Sequence, residues 1–197
     1  MSGVRLFVAI PILGEVAQEI VAIQHKLAAA IGASVRWTKP EQLHLTLRFL
    51  GSVREEQIAN LTPALERACS GVAPIELMLS NLGCFPSRSQ PRIIWAGVSN
   101  GAQELTQLAE RVRTGTATFG DSRDSKPFVP HLTIGRSKDP GSSDRRVGEI
   151  IYSENPKRFG MLHVSELRLM KSELSRIGSI YSVIARPPLR KDGHVPT

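Results

Sequence analysis

His44-Leu45-Thr46-Leu47 occurs a second time as His131-Leu132-Thr133-Ile134, 87 residues later. The flanks correspond as well. Gln42-Leu43 leads into the first copy and Arg48-Phe49 follows it; Val129-Pro130 leads into the second and Gly135-Arg136 follows. The chain has five histidines, and two of them stand in this one repeated tetrapeptide. Both copies alternate polar and apolar residues, the period of a β-strand. Residues i and i+2 of a strand share a face. Each copy therefore projects an imidazole and a hydroxyl side by side and turns two aliphatic side chains to the other face.

Outward from the two copies, the chain reads as alternating strands and helices. Strands are expected at 4–12, 35–37, 43–49, 75–82, 92–98, 161–170 and 177–185, besides the strand that Phe128-Val129-Pro130 leads into. Helical spacing of apolar residues covers 13–31, with Gly32 as its stop. Ser52 is a candidate cap for a second helix running to about residue 70, broken off from the first motif strand by Gly51-Ser52. A third helix starts at Asn100 or Gly101, with Leu105, Leu108, Ala109 and Val112 on one side, and a short fourth covers 147–153. Segments 83–91, 120–126 and 137–146 read as polar loops. The order is β-α-β-β-α-β-β, then α-β-α-β-β. It implies an α+β fold of antiparallel sheet plus helices in two related lobes, one domain over residues 1–186, with a flexible basic tail over 187–197.

Bulk composition agrees with a chain of this kind. At 197 residues it is long enough to bury a core without disulfides or metals, and its 41% apolar and 22% charged residues are ordinary for a globular protein. No apolar run approaches the roughly 20 residues that cross a bilayer, and 6–11 is too short for an export signal, so no membrane association is expected. Cys69 and Cys84 match neither a disulfide framework nor a zinc site; they read as reduced thiols of a cytoplasmic protein. The net charge of +7 favours polyanionic partners such as nucleic acid and phosphate esters.

If the two motif strands meet across a cleft, two imidazoles and two hydroxyls converge. That set suits in-line displacement at phosphorus. A neutral histidine takes a proton from the nucleophile, a protonated one gives a proton to the leaving oxygen, and the threonines hold non-bridging oxygens. Imidazole can do either job because its ordinary pKa is about 6.5. A two-histidine metal site is the competing chemistry, but it needs a third protein ligand at recognisable spacing and none is evident. No metal or other cofactor is expected, and Asp121 and Asp124 read as solvated loop residues. The pattern makes both histidines catalytic candidates without assigning their order. His25 reads as a helix residue near solvent and His163 as a structural one; no partner can be inferred for His194.

The chain resembles the two-histidine (2H) phosphoesterase superfamily, and within it the bacterial and archaeal RNA 2′,3′-cyclic phosphodiesterases historically named 2′-5′ RNA ligases. The similarity is carried by Arg5-Leu6-Phe7-Val8-Ala9-Ile10, by the segment from Trp37 to Gly51, by Phe85, by Pro91 to Val98, by Phe128 to Arg136 and by Leu167 to Tyr181. The resemblance implies two pseudo-symmetric lobes around a V-shaped cleft. It also implies metal-free hydrolysis of an RNA 2′,3′-cyclic phosphate end to a 2′-phosphomonoester, with 2′-5′ ligation as a reversal in vitro. By analogy, His44 is the proton donor, His131 the proton acceptor, and Thr46 and Thr133 bind phosphate. The partners implied are RNA or oligonucleotides with a cyclic phosphate end, and nucleotides, bound by a monomer. The alternatives are a non-catalytic RNA-end or nucleotide-binding module, and a 2H phosphodiesterase acting on another small cyclic phosphate.

Phe49 and Arg136 each stand five residues after a motif histidine. In a straight strand they would point away from the phosphate. They reach it only if each strand ends, bends or bulges after the threonine, for which Gly51 and Gly135 are the candidate positions. With that condition met, Arg136 would bind phosphate or stack on a base, and Phe49 would stack on a base. Phe85 is a further stacking candidate. Phe7, Trp37 and Trp95 read as packing residues; Tyr181 reads as packing first, with approach to the cleft as its alternative.

Overall fold

The structure is a computed structural model that describes residues 3–121, 127–139, 145–154, 158–175 and 178–191. The elements are β1 (Gly3–Pro11), α1 (Gly14–Ile31), β2 (Val35–Trp37), β3 (His44–Arg54), α2 (Ile58–Cys69), β4 (Ile75–Ser87), β5 (Gln90–Asn100), α3 (Ala102–Gly115), β6 (His131–Ser137), α4 (Arg145–Ser153), β7 (Arg158–Val164), β8 (Arg168–Ser175) and β9 (Gly178–Ala185). The fold is a mixture of helices and antiparallel sheet, as the sequence implies. The strands lie in the order β7-β4-β5-β6-β3-β1-β8-β9, with β2 paired to β6 off this path. The two motif strands, β3 and β6, are neighbours at the middle, joined through one residue pair, Leu45 with Leu132. Each is the innermost strand of a four-stranded antiparallel half, β3-β1-β8-β9 on one side and β6-β5-β4-β7 on the other.

Helices α1 and α4 pack together against β4, β5 and β7, while α2 and α3 pack together with α3 against β3. They cover the face that carries Leu45, Leu47, Leu132 and Ile134, all buried in one continuous apolar cluster with Val16, Ile20, Leu65 and Leu105. At about 1.5–3 kcal/mol per buried aliphatic side chain, this face holds both motif strands in place. Among the described residues no helix is long and apolar enough to cross a membrane.

Several boundaries differ from expectation, each for a traceable reason. Strand β3 does not stop at Gly51-Ser52. It runs to Arg54 because β1 extends to Gly3 and offers partners, Ser52 opposite Arg5 and Arg54 opposite Gly3. Ser52 therefore caps no helix; its N–H donates to Asp121 Oδ1 at 2.8 Å, and α2 begins after a 3₁₀ turn at Glu55–Gln57. The expected loop at 83–91 is mostly hairpin, with Gly83, Cys84 and Phe85 opposite Trp95, Ile94 and Ile93. A glycine is needed there, since a Cβ on Gly83 would lie 2.2 Å from the Trp95 ring. The strand expected over 161–170 is two strands in opposite halves of the sheet, β7 beside β4 and β8 beside β1. The tail is tied down over its first residues: Leu189 is buried and its N–H donates to Ser165 O at 2.8 Å. Residues 192–197, with His194, and Asp124 lie outside the described residues.

Candidate active site

The Leu45–Leu132 pair fixes how the two motifs meet. In the antiparallel register around it, His44 stands beside Thr133 and Thr46 beside His131. Each imidazole thus neighbours the other motif's hydroxyl, a two-fold arrangement centred on the leucines. Next to these four residues the sheet is low. His44 and Thr46 pair with Pro11 and Ala9 of β1, and His131 pairs with Gly97 of β5. Trp95, opposite Thr133, lies over Gly83 and Gly97. The four polar side chains are half-buried, and among the described residues the helices pack on the opposite, apolar face.

Both imidazoles are held in the same way. His44 Nδ1 lies 2.6 Å from Gln42 O, and His131 Nδ1 lies 2.8 Å from Val129 O, in each case the carbonyl two residues back. A carbonyl only accepts, so Nδ1 carries the hydrogen and Nε2 is the titrating nitrogen on each ring. The Gln42 turn is itself anchored, its Nε2 donating to Ser179 O of β9 at 2.6 Å. Burial holds both histidines below the ordinary value of 6.5. The bonds to Gln42 and Val129 pull the other way, and the positive charge of Arg136 lowers both further.

Aromatic rings wall each imidazole. The His44 ring has Phe7 at 5.0 Å and Tyr181 edge-on at 5.5 Å; the His131 ring has Phe85 edge-on at 5.1 Å. Phe85, one of the stacking candidates, is therefore at the site. Phe7, read from the sequence as a packing residue, and Tyr181, for which the sequence leaves packing and approach to the cleft both open, are also against a motif histidine. The missing signal is register: Phe7 reaches His44 through the β1–β3 pairing, and Tyr181 through β9 and β8, which no local periodicity encodes.

The structure meets the condition set for Phe49 and Arg136, at positions other than those expected. In β3, Thr46 pairs with Ala9 and Arg48 with Val8, so Leu47 is an extra residue. In β6, Thr133 pairs with Trp95 and Gly135 with Ile94, so Ile134 is an extra residue. Both are the fourth residue of the motif. One extra residue reverses the alternation, and the burial sequences of the two strands then run alike over six positions. Phe49, 53% exposed, and Arg136, also exposed, consequently share the face of the histidines. Arg48 turns to the core instead, where its guanidinium donates to Thr116 Oγ1 and to Arg113 O. Gly135 has a different task from the bend expected of it. A Cβ there would come within 2.9 Å of Val35 and 3.0 Å of Trp37, so its absence lets β2 dock.

The second bulge is pinned from α1. Gln24, 4% exposed, donates through Nε2 to both Ile134 O and Thr38 O at 2.8 Å, and Thr38 N–H donates to Ile134 O at 2.9 Å. The sequence draws attention to His25 next to it, which is exposed; the buried amide escapes notice because its only cue is a polar residue on an apolar helix face. His163 lies on the surface, paired with Glu76. Asp121 serves β3 through Ser52. Cys69 and Cys84 are buried free thiols, pushed up by burial to about 12 and about 11.

The fold, with two His-x-Thr strands side by side at its middle, agrees with the two-histidine class of phosphoesterase that the sequence resembles. Comparison with known proteins narrows the class: the chain belongs to the 2'-5' RNA ligase superfamily, whose family model matches residues 16–176. An RNA 2',3'-cyclic phosphodiesterase of Aquifex aeolicus (strain VF5) is 36% identical over 151 residues, 76% of this chain and 79% of that one. Among solved structures, TT0787 of Thermus thermophilus has a TM-score of 0.79 at 30% identity, covering 96% of this chain and 100% of that one. The E. coli LigT structure complexed with 3'-AMP has a TM-score of 0.75 at 27% identity, covering 95% of this chain and 98% of that one.

Proposed function

We propose that the protein hydrolyses the 2′,3′-cyclic phosphate at an RNA end to a 2′-phosphomonoester by metal-independent acid–base catalysis. The observation that carries this reading is the paired register of the two His-x-Thr strands, in a chain whose relatives bear that activity in their names. The cyclic phosphate seats over the Leu45–Leu132 pair. His131, neutral, takes a proton from water through Nε2; the water oxygen bonds to phosphorus; the bond to the ribose 3′ oxygen breaks; and His44, protonated, gives that oxygen its proton. The hydroxyls of Thr46 and Thr133 donate to non-bridging oxygens, whose charge grows in the transition state. Arg136 adds a positive charge on the same face, and the exposed Phe49 ring and Phe85 offer stacking surfaces for a base. With an RNA 5′-OH in place of water, the same steps form a 2′-5′ linkage. Both motifs come from one chain, which supports action as a monomer, and the two unpaired buried thiols fit a cytoplasmic setting.

The decisive experiment is product analysis with an oligonucleotide bearing a terminal 2′,3′-cyclic phosphate, in EDTA. The 2′-monoester is expected; a 3′-monoester, no turnover, or loss of turnover on chelation would overturn the reading.

The pH dependence has a definite sign. The free enzyme needs one neutral and one protonated imidazole, and both are held below 6.5. The bell of kcat/KM is therefore expected to centre on the acid side of 6.5. The bound anion favours both protonated forms, so the kcat profile should move toward higher pH. Coincident profiles from steady-state kinetics between pH 4 and 9 would contradict this assignment of the electrostatics.

A further inference from the structure

Strand β2 contributes nothing to the reaction as described, yet it places a second guanidinium on the reacting face. Arg36 is the cross-strand partner of Arg136, with Val35 opposite Ser137 and Trp37 opposite Gly135. Antiparallel partners share a face. Val35 and Trp37 turn toward Gly135 and the core, so Arg36 turns outward with Arg136. Both arginines are exposed. Like charges directly opposite in a sheet repel, and the usual relief is a carboxylate. Among the described residues neither arginine has one: the ion pairs there use other basic side chains. A repulsive pair beside a phosphate site, with no counter-charge among the described residues, is relieved when an anion binds between the two.

The chemistry of the substrate says which anion. An RNA ending in a 2′,3′-cyclic phosphate continues in one direction only. Its next phosphate is the diester on the 5′ side of the terminal ribose. Arg136 lies two register steps beyond Thr133, about 7 Å along the sheet, and Arg36 is one strand further out. A second phosphate group held by both guanidinium groups would therefore lie on the side of the site where β2 replaces β3 as the neighbour of β6.

We propose that Arg36, with Arg136, forms a subsite for the 5′-side phosphodiester of the terminal nucleotide, so that the enzyme selects RNA ends over free nucleoside 2′,3′-cyclic phosphates. The inference rests on the reading under Proposed function. It extends the site from one phosphate to two and makes substrate length a property of β2. Arg36 is a binding residue here and takes no part in the proton transfers.

The test compares adenosine 2′,3′-cyclic phosphate with the dinucleotide ApA carrying a terminal 2′,3′-cyclic phosphate, for the wild type, Arg36→Gln and Arg36→Lys. The wild type is expected to show a KM for the dinucleotide about tenfold lower than for the mononucleotide. Arg36→Gln should raise the dinucleotide KM by about tenfold, change the mononucleotide KM less than twofold, and flatten the salt dependence of the dinucleotide only. Arg36→Lys should recover most of the preference. Because the substitution removes a repulsion at an exposed site, Tm should hold or rise. Equal KM changes for both substrates, or none, or a wild type with no preference for the dinucleotide, would overturn the subsite. A wild type that turns over neither substrate would overturn the functional reading instead, which keeps the two failures distinct.

Discussion

His44→Ala and His131→Ala are each expected to lower kcat/KM by about 10²–10⁴-fold, the range general acid–base groups contribute, with little loss of stability. The side chains face a half-open site, and the strands are held by the leucines on the opposite face. The double variant should be scarcely worse than the worse single one, because a donor without its acceptor no longer works as a unit. Turnover of the oligonucleotide cyclic phosphate, measured alongside thermal melts, tests this, and full activity in either single variant would remove the two-histidine mechanism. The residual activity also assigns the order. If His131 is the acceptor, its alanine variant loses the rise of kcat/KM on the acid limb, and the His44 variant loses the fall on the alkaline limb. The opposite pattern exchanges the roles, which the matched hydrogen bonds of the two rings to Gln42 and Val129 do not distinguish.

How much of this is legible in the sequence depends on whether the controlling interaction is local. The motif alternation predicts the aliphatic face and the paired His and Thr, and both follow from one strand's own geometry. Phe49 and Arg136 show where locality ends. Parity places them on the wrong face, and a bulge is the remedy the sequence allows, with Gly51 and Gly135 as its apparent markers. The extra residues that turn these two side chains are instead Leu47 and Ile134; the second irregularity of β3, at Leu50 beside Gly51, comes after Phe49 and does not reorient it. A bulge of this kind needs no positive φ, and what fixes it is the partner strand and the groups that take up its carbonyl. Phe7 eludes a local reading, and Tyr181 is left undecided by it, for a related reason, since both meet His44 through strands far apart in the chain. Strand β3 outruns its expected stop because an adjacent strand keeps supplying partners. In each case the decisive term is pairing at a distance, and single-chain periodicity carries no record of it.

Gln24 is where that distant term can be tested most sharply. Its amide joins α1 to the carbonyls of Ile134 and Thr38, and Arg136 follows the Ile134 bulge by two residues. Gln24→Leu keeps the volume and removes the donor. Ile134 O retains the Thr38 N–H, whereas Thr38 O is left without the Gln24 bond. A fully buried acceptor deprived of its partner costs about 1–3 kcal/mol; Thr38 O is partly buried, so a fall in Tm corresponding to the low end of that range is expected. The larger consequence is positional. With the bulge free to relax, the alternation beyond it can shift and turn Arg136 off the face of the histidines. Misplacement on the order of 1 Å costs up to about 10²-fold, and kcat/KM should drop by about 10- to 100-fold at temperatures well below either Tm. A merely destabilised enzyme would show the same loss whatever residue stands at 136. The cycle with Arg136→Ala separates the cases: if Gln24 acts by placing Arg136, the double variant is no worse than Arg136→Ala alone. Losses that multiply would show that the bulge serves the fold and leaves the guanidinium where it was.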